Sequence, residues 1–215
     1  MRYLFTTKRE GNMGLHVGDD PRIVLRNREQ LAQLIGSQKV IFMNQVHGDD
    51  IIFVDESTQN PTCDAMISNT KGLALAVMVA DCIPILFYDK VTQSVGVAHA
   101  GREGTRLKIA SKTLQMMQMS FGAKAKDMEV YIGASIKVCC YEVGKEAIQG
   151  LEEVALFKEG KYYLDLLCAN QEELLKAGIQ REHLHIDECC TCCHEGYFSY
   201  RRERQTGRFV GVISL

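Results

Sequence analysis

The chain predicts an α+β fold: a layered α/β sandwich built on mixed β-sheets, in a single domain spanning residues 1–215. Three observations lead to it. A length of 215 residues suits one domain with a sizeable core. Segments that read as strands outnumber those that read as helices, and the two kinds do not alternate as a doubly wound parallel sheet requires. No repeat, low-complexity tract or linker interrupts the chain, and only three prolines punctuate it.

Strands are expected at 39–44, 50–54, 73–79, 83–88, 94–98, 128–132, 183–187 and 208–214, each rich in Val, Ile, Leu or Phe and bounded by Gly, Asp or Asn. Helices are expected at 21–35, 104–120, 144–157 and 166–177. The second carries apolar residues at 107, 109, 110, 114, 117 and 121, a helical period, and Gly122 stops it. The fourth opens on Asp165 as N-cap and ends at Gly178.

Bulk properties narrow the function. A net charge of −2 gives no general attraction for nucleic acid or acidic membranes, so neither is expected as a partner. The longest apolar run, Gly72–Ala80, is cut by Asp81 well short of a bilayer span. The first residues lack the apolar stretch of a signal peptide, so a cytoplasmic location is expected. There the nine cysteines, an odd count with adjacent pairs at 139–140, 189–190 and 192–193, read as reduced thiols or metal ligands rather than disulfides.

The best functional lead is a set of strand ends. Cys82 and His99 sit where the runs G-L-A-L-A-V-M-V-A-D-C (72–82) and S-V-G-V-A-H-A-G (94–101) give way to turns, and His47 sits at an equivalent break in V-I-F-M-N-Q-V-H-G (40–48). Two imidazoles and a thiolate can converge on one metal ion, and three protein ligands leave a fourth position for water or substrate, as in catalytic zinc. Asp81, beside Cys82, is a partner of that set or a proton-transfer group; its plainer reading is a turn cap.

Four further segments carry chemistry. In A-H-A-G-R-E-G-T-R (98–106) a glycine turn precedes a helix, a place where backbone N–H groups favour an anion, with Arg102 and Arg106 close by. F-S-Y-R-R-E-R-Q-T-G-R (198–208) has basic residues, Arg201 and Arg202 among them, that suit phosphate recognition. N-M-G-L-H-V-G-D-D-P (12–21), followed by Asn27–Arg28, reads as a loop into a helix and brings His16 and Arg28 toward a pocket. C-C-T-C-C-H (189–194) holds two overlapping C-x-x-C pairs. A four-ligand zinc site needs a second half that the sequence does not display, so reduced thiols are the favoured reading there.

Taken together, G-L-H-V-G-D-D-P, N-Q-V-H-G, C-D-A, A-D-C-I-P-I-L-F-Y-D, V-A-H-A-G, I-G-A-S-I-K-V-C-C-Y-E-V-G, L-D-L and F-S-Y-R-R…T-G-R resemble, in order and over nearly the whole chain, the YfiH family. This family is also called the laccase-domain or multicopper polyphenol oxidase family, and its members are regarded as purine nucleoside phosphorylases. The resemblance implies zinc held by His47, Cys82 and His99, the set reached from the strand ends. It also implies adenosine, inosine, guanosine and methylthioadenosine as substrates, phosphate as co-substrate, and adenosine deamination as a side activity.

One segment departs from the pattern. Where the family reads H-A-G-W-R-G, this chain has H-A-G-R-E-G, which places Arg102 and Glu103 beside the expected anion site. Three rival readings remain. Cys82 is the nucleophile of a hydrolase cutting an amide in a cell-wall amino-sugar peptide, with His99 or His47 as base. The set holds copper in a polyphenol oxidase, less favoured because six histidines with one H-x-H are few for a multicopper cluster. Or the chain binds zinc without turnover. Oligomeric state is left open.

Overall fold

The computed structural model describes residues 1–215. The strands are β1 (Arg2–Phe5), β2 (Lys39–Phe42), β3 (Ile51–Phe53), β4 (Ala65–Ser68), β5 (Leu73–Val79), β6 (Ile83–Asp89), β7 (Ser94–Ala100), β8 (Met128–Ile132), β9 (Glu142–Val143), β10 (Ala155–Lys158), β11 (Lys161–Leu164), β12 (Leu184–Ile186) and β13 (Phe209–Ser214). The helices are α1 (Pro21–Ile35), α2 (Arg102–Arg106), α3 (Ile109–Phe121), α4 (Leu166–Lys176) and α5 (Tyr200–Glu203). No helix is long and apolar enough to cross a membrane.

Two mixed sheets stack face to face: a four-stranded sheet in the order β1-β13-β5-β2 and a six-stranded sheet in the order β12-β8-β6-β7-β4-β3. The alternation of β5 shows why they stack. Leu73, Leu75, Val77 and Val79 point into the core between the sheets with Leu86, Val95, Val97 and Phe209. Ala74, Ala76 and Met78 point the other way, under Leu31 and Ile35 of α1. On the far face of the six-stranded sheet, Ile67, Ile85, Phe87 and Ala98 pack against Ile109, Leu114 and Met117 of α3 and Leu174 of α4. The outcome is a helix–sheet–sheet–helix sandwich, the mixed α+β architecture that the sequence predicts. Cutting the fully buried Phe87 back to Ala would cost about 3–5 kcal/mol.

Local chemistry sets the helix ends. Asp20 caps the Arg22 N–H of α1, Pro21 occupies its first turn, and Gly36 ends it in the left-handed region. Asp165 caps α4 as expected, through the Cys168 N–H.

Two expected helices differ in the structure. The segment 104–120 is two helices, α2 and α3, parted at Lys108, whose φ is +62°. Gly104 of α2 lies so close to the His99 carbonyl that a Cβ there would sit 2.9 Å from it, so α2 is pinned to β7 at its own angle. The segment 144–157 is not an α-helix. Short 3-10 turns at Lys145–Ile148 and Glu152–Val154 lead into β10. Gly150, at φ +77°, breaks the run, and the apolar Leu156 and Phe157 pair across β11 with Tyr163 and Tyr162 instead of forming a helical stripe. Glu159 and Gly160 turn that hairpin with φ of +53° and +78°, the conformation a two-residue turn between twisted strands requires. Strands β10, β11 and β9 make a small third sheet.

Candidate metal centre and pocket

Topology brings three strand breaks to one rim of the sandwich. Strands β2 and β5 run parallel, so their C-terminal ends share an edge. Strand β6 starts where β5 stops, and β7 returns antiparallel to it with His99 opposite Pro84. His47, Cys82 and His99 therefore meet at that rim, with their ligand atoms within 4.8 Å of one another. His99 shares its face of β7 with Val95 and Val97, which puts it at the open edge of the inter-sheet core, only 3% exposed.

A buried carboxylate organises the set. Asp64 accepts from His99 Nδ1 at 2.8 Å and from the backbone N–H groups of Val46, His47 and Gly48 at 3.2, 3.0 and 2.7 Å. It thereby fixes the His99 ring, leaving Nε2 for the cluster, and holds His47 in its strained backbone, φ +62°. Gln45 pins the same loop to β5: its side-chain amide donates to Met78 O and accepts from Met78 N. Gly101 leaves space, since a Cβ there would lie 3.1 Å from Cys82 Sγ and 3.4 Å from His47 Cδ2.

Cys82 and His99 polarise each other. Burial opposes a thiolate at Cys82, but His99 and His47 outweigh it and bring the thiol down to about 6. Burial likewise opposes charge on His99, but the Cys82 thiolate and Asp64 lift it to about 9. For Asp64, burial is overcome by His99 and the backbone donors, and its carboxyl is held below the usual range. Two imidazoles and an ionisable thiol around a gap kept clear by a glycine are a donor set that fits a divalent transition metal.

These groups floor a cavity of about 520 Å³ that also presents His16, Asn44, Gln45, Tyr141, Arg201 and Arg208. Burial and then the nearby Arg208 and Arg28 lower the His16 pKa, so this end of the cavity is electropositive.

The other residues singled out in sequence fall in different places. Asp81 lines the cavity, but its carboxylate is engaged by the Thr191 hydroxyl at 2.7 Å and the Arg201 N–H at 2.6 Å. Its backbone sits at a turn of φ +87°. Arg201 reaches the cavity while donating to Cys140 O at 3.0 Å. Arg28 stands behind the wall, giving Nε and Nη2 to Met13 O and stacking on Phe42. Arg202 points away from the cavity and donates to the carbonyls of Thr191, Cys192 and Tyr197. Arg102 lies outside the lining with Nη1 3.5 Å from Ala147 O. Glu103 is paired with Arg106 at 2.9 Å, so the acid does not face the cavity.

Sequence reasoning missed Asp64 and Tyr141, and it held Arg208 only as one of several basic residues in the run 198–208. Asp64 lay in the C-D-A motif and Tyr141 in C-C-Y-E-V-G, but nothing local marked either, and nothing set Arg208 apart from its basic neighbours.

The family follows from comparison. Residues 5–215 match the model of the family described as multi-copper polyphenol oxidoreductase laccase. The chain belongs to this laccase-like, YfiH-containing family. It is similar over 100% of its length to a purine nucleoside phosphorylase of Corynebacterium glutamicum, with 36% identity and 94% of that protein covered. It is 37% identical to the purine nucleoside phosphorylase YlmD of Geobacillus stearothermophilus over 94% of this chain and 82% of the relative. Among solved structures, the Bacillus licheniformis hypothetical protein YfiH superposes with a TM-score of 0.93 at 33% identity, covering 99% of this chain and 92% of that one.

Proposed function

We propose that this chain is a zinc-dependent purine nucleoside phosphorylase, acting as one domain over residues 1–215 in the cytoplasm. Its substrates are adenosine, inosine, guanosine and methylthioadenosine, with adenosine deamination as a side activity. The observation that carries the reading is the His47–Cys82–His99 cluster at the floor of a nucleoside-sized cavity whose wall bears His16 and Arg208. The names of its relatives support the choice of reaction.

In this reading His47, Cys82 and His99 hold the zinc, which when bound supplies a Lewis-acid charge. His16 and Arg208 receive phosphate at the electropositive end, with Arg28 adding charge from behind. Tyr141 and Arg201 present a flat, polarisable wall to the purine. An oxygen of hydrogen phosphate attacks the ribose C1′, the C1′–N9 bond breaks, and the proton that hydrogen phosphate gives up ends on the departing base, leaving ribose 1-phosphate. The test is base release from adenosine or inosine with and without phosphate, beside elemental analysis of wild type and Cys82→Ala. Release at the same rate without phosphate means hydrolysis and sinks the phosphorylase reading. Equal zinc in both proteins removes Cys82 from the site.

A second reading has its own observation. A half-buried thiol beside a buried imidazole with a carboxylate behind it is also the arrangement of a cysteine nucleophile, so Cys82 with His99 suits an amidase. An acyl adduct on Cys82 after exposure to an amide substrate, seen by mass spectrometry, selects it. The copper-oxidase reading loses ground. Beyond the pocket, His183 and His185 turn to Glu129, and no second group of histidines gathers to hold further copper.

A further inference from the structure

All nine cysteines are free, and four of them gather away from the pocket. Cys139 and Cys140 lie in a turn closed by the Cys140 and Tyr141 N–H groups donating to Lys137 O. Cys190 and Cys193 come from the loop that shows a C-x-x-C spacing in sequence, and the turn supplies the second half that the sequence does not display. Of the two overlapping pairs in that loop, the fold selects 190/193; Cys189 and Cys192 stand outside the group.

The geometry is that of a single ion. All four Sγ atoms lie within 4.8 Å of one another. Cys139 is 3.8 Å from Cys140 and 3.9 Å from Cys193, and Cys140 is 3.3 Å from Cys193. A tetrahedral zinc about 2.3 Å from each sulfur sets sulfur–sulfur edges of about 3.8 Å. An iron–sulfur cluster interposes several atoms between its thiolates and needs them farther apart.

We propose that Cys139, Cys140, Cys190 and Cys193 form a tetrathiolate zinc site, distinct from the His47–Cys82–His99 cluster and structural in role. Four protein ligands close the coordination shell and leave no position for substrate. Binding is acid–base chemistry only: four thiols release four protons to solvent, and nothing is oxidised. The surroundings suit the anionic product. The Lys137 N–H donates to Cys190 Sγ at 3.4 Å, and the Lys137 ammonium is held close by Ser135 Oγ and Asp187 O.

The ion would clamp together two loops that both serve the pocket. One carries Cys140, whose carbonyl receives Arg201, and Tyr141; the other carries Thr191, whose hydroxyl holds Asp81.

The experiment needs neither phosphorylase activity nor metal in the pocket. Zinc per chain is measured in reductant for Cys82→Ala and for Cys82→Ala combined with Cys190→Ser, with circular dichroism on each. Cobalt(II) is then titrated into zinc-free Cys82→Ala. Cys82→Ala keeps one zinc and the combined variant loses it. Cobalt in Cys82→Ala gives intense thiolate charge-transfer bands and the d–d bands of a tetrahedral site. Cys82→Ala that folds without zinc and shows no thiolate–cobalt bands overturns the proposal. The cobalt arm keeps it open to refutation even if Cys190→Ser fails to fold.

Discussion

The two groups of side chains that could hold a metal ion are built in opposite ways. His47, Cys82 and His99 stand at strand breaks, so sheet register sets their separations, and Asp64 and Gln45 lock the one loop among them. Cys139, Cys140, Cys190 and Cys193 stand on two loops. The links between those loops are sparse: a bridge from Ser135 to Cys190, and Lys137 reaching across to Cys190 Sγ and Asp187 O. Strand ends deliver ligands already ordered, and an ion adds little to their placement. Loop ligands carry the entropy cost of ordering until something joins them. A reactive centre gains from the first construction, a clamp from the second.

The comparison breaks hardest at Asp64. Its carboxylate is fully buried and accepts four N–H donors. Asp64→Asn keeps the shape but turns an NH2 group toward those donors. We expect about 3–5 kcal/mol lost in denaturant unfolding, the cost of spoiling a buried charged partner. Metal affinity at the pocket falls about 10–100-fold through the mis-set His99 ring. Unchanged zinc affinity would show that strand register alone places the histidines.

Metal removal separates the two constructions directly. With all metal chelated in reductant, amide hydrogen exchange rises in 135–141 and 189–197 and stays slow in 73–79 and 94–100, where every residue is buried in the central strands. Equal acceleration in both regions would mean that the strand-end site also depends on its ion for order.

What the sequence discloses divides along the same line. Ligands at strand ends are legible because a short, continuous apolar run announces a buried strand, and its break announces the position. The fold class is legible for the same reason, since β5, β6 and β7 announce themselves in this way. Asp64 is not legible, because its role is a set of contacts with residues up to 35 positions away. The cysteine cluster is half legible: its C-x-x-C is local, but the partner half lies on a turn that only the tertiary fold brings near. The misread helix at 144–157 fails because Gly150 takes a positive φ and the hairpin beyond it claims the apolar residues.

The loop side also has an acid-sensitive anchor. Glu203 binds Lys8, Arg202 and Thr206, and Arg202 in turn holds the carbonyls of the cysteine loop. Burial opposes its charge, but Lys8, Thr206 and Arg202 prevail and hold the carboxyl down to about 2. A lowered carboxyl stabilises the fold above its ordinary value of 4.5, and the benefit drains as pH falls toward 2. The site is partly solvated, so screening cuts the benefit to about 1 kcal/mol. Glu203→Gln is therefore less stable than wild type by that amount at pH 7, and the two unfolding curves converge by about pH 2. A constant gap across that range would assign the loss to packing rather than charge.

The smallest effect is expected where the sequence departs most visibly from the family pattern. Read as a string, H-A-G-R-E-G sets an acid beside the ligand His99, and a carboxylate there should repel phosphate. In the fold, Glu103 and Arg106 satisfy each other on the surface, where solvent screens the pair, and Arg102 turns toward Ala147 O. The positive end of the cavity belongs instead to Arg208, beside a His16 that burial and the nearby Arg208 and Arg28 push toward its neutral form. Glu103→Gln and Arg102→Ala should leave the KM for phosphate within about twofold, whereas Arg208→Ala raises it about tenfold or more, the loss of a charge-assisted hydrogen bond of about 1.5–3 kcal/mol. Phosphate dependence measured at saturating inosine decides between them. A lower KM in Glu103→Gln would return the anion to the start of α2. No change in Arg208→Ala would move it away from the end of the cavity where this structure concentrates positive charge.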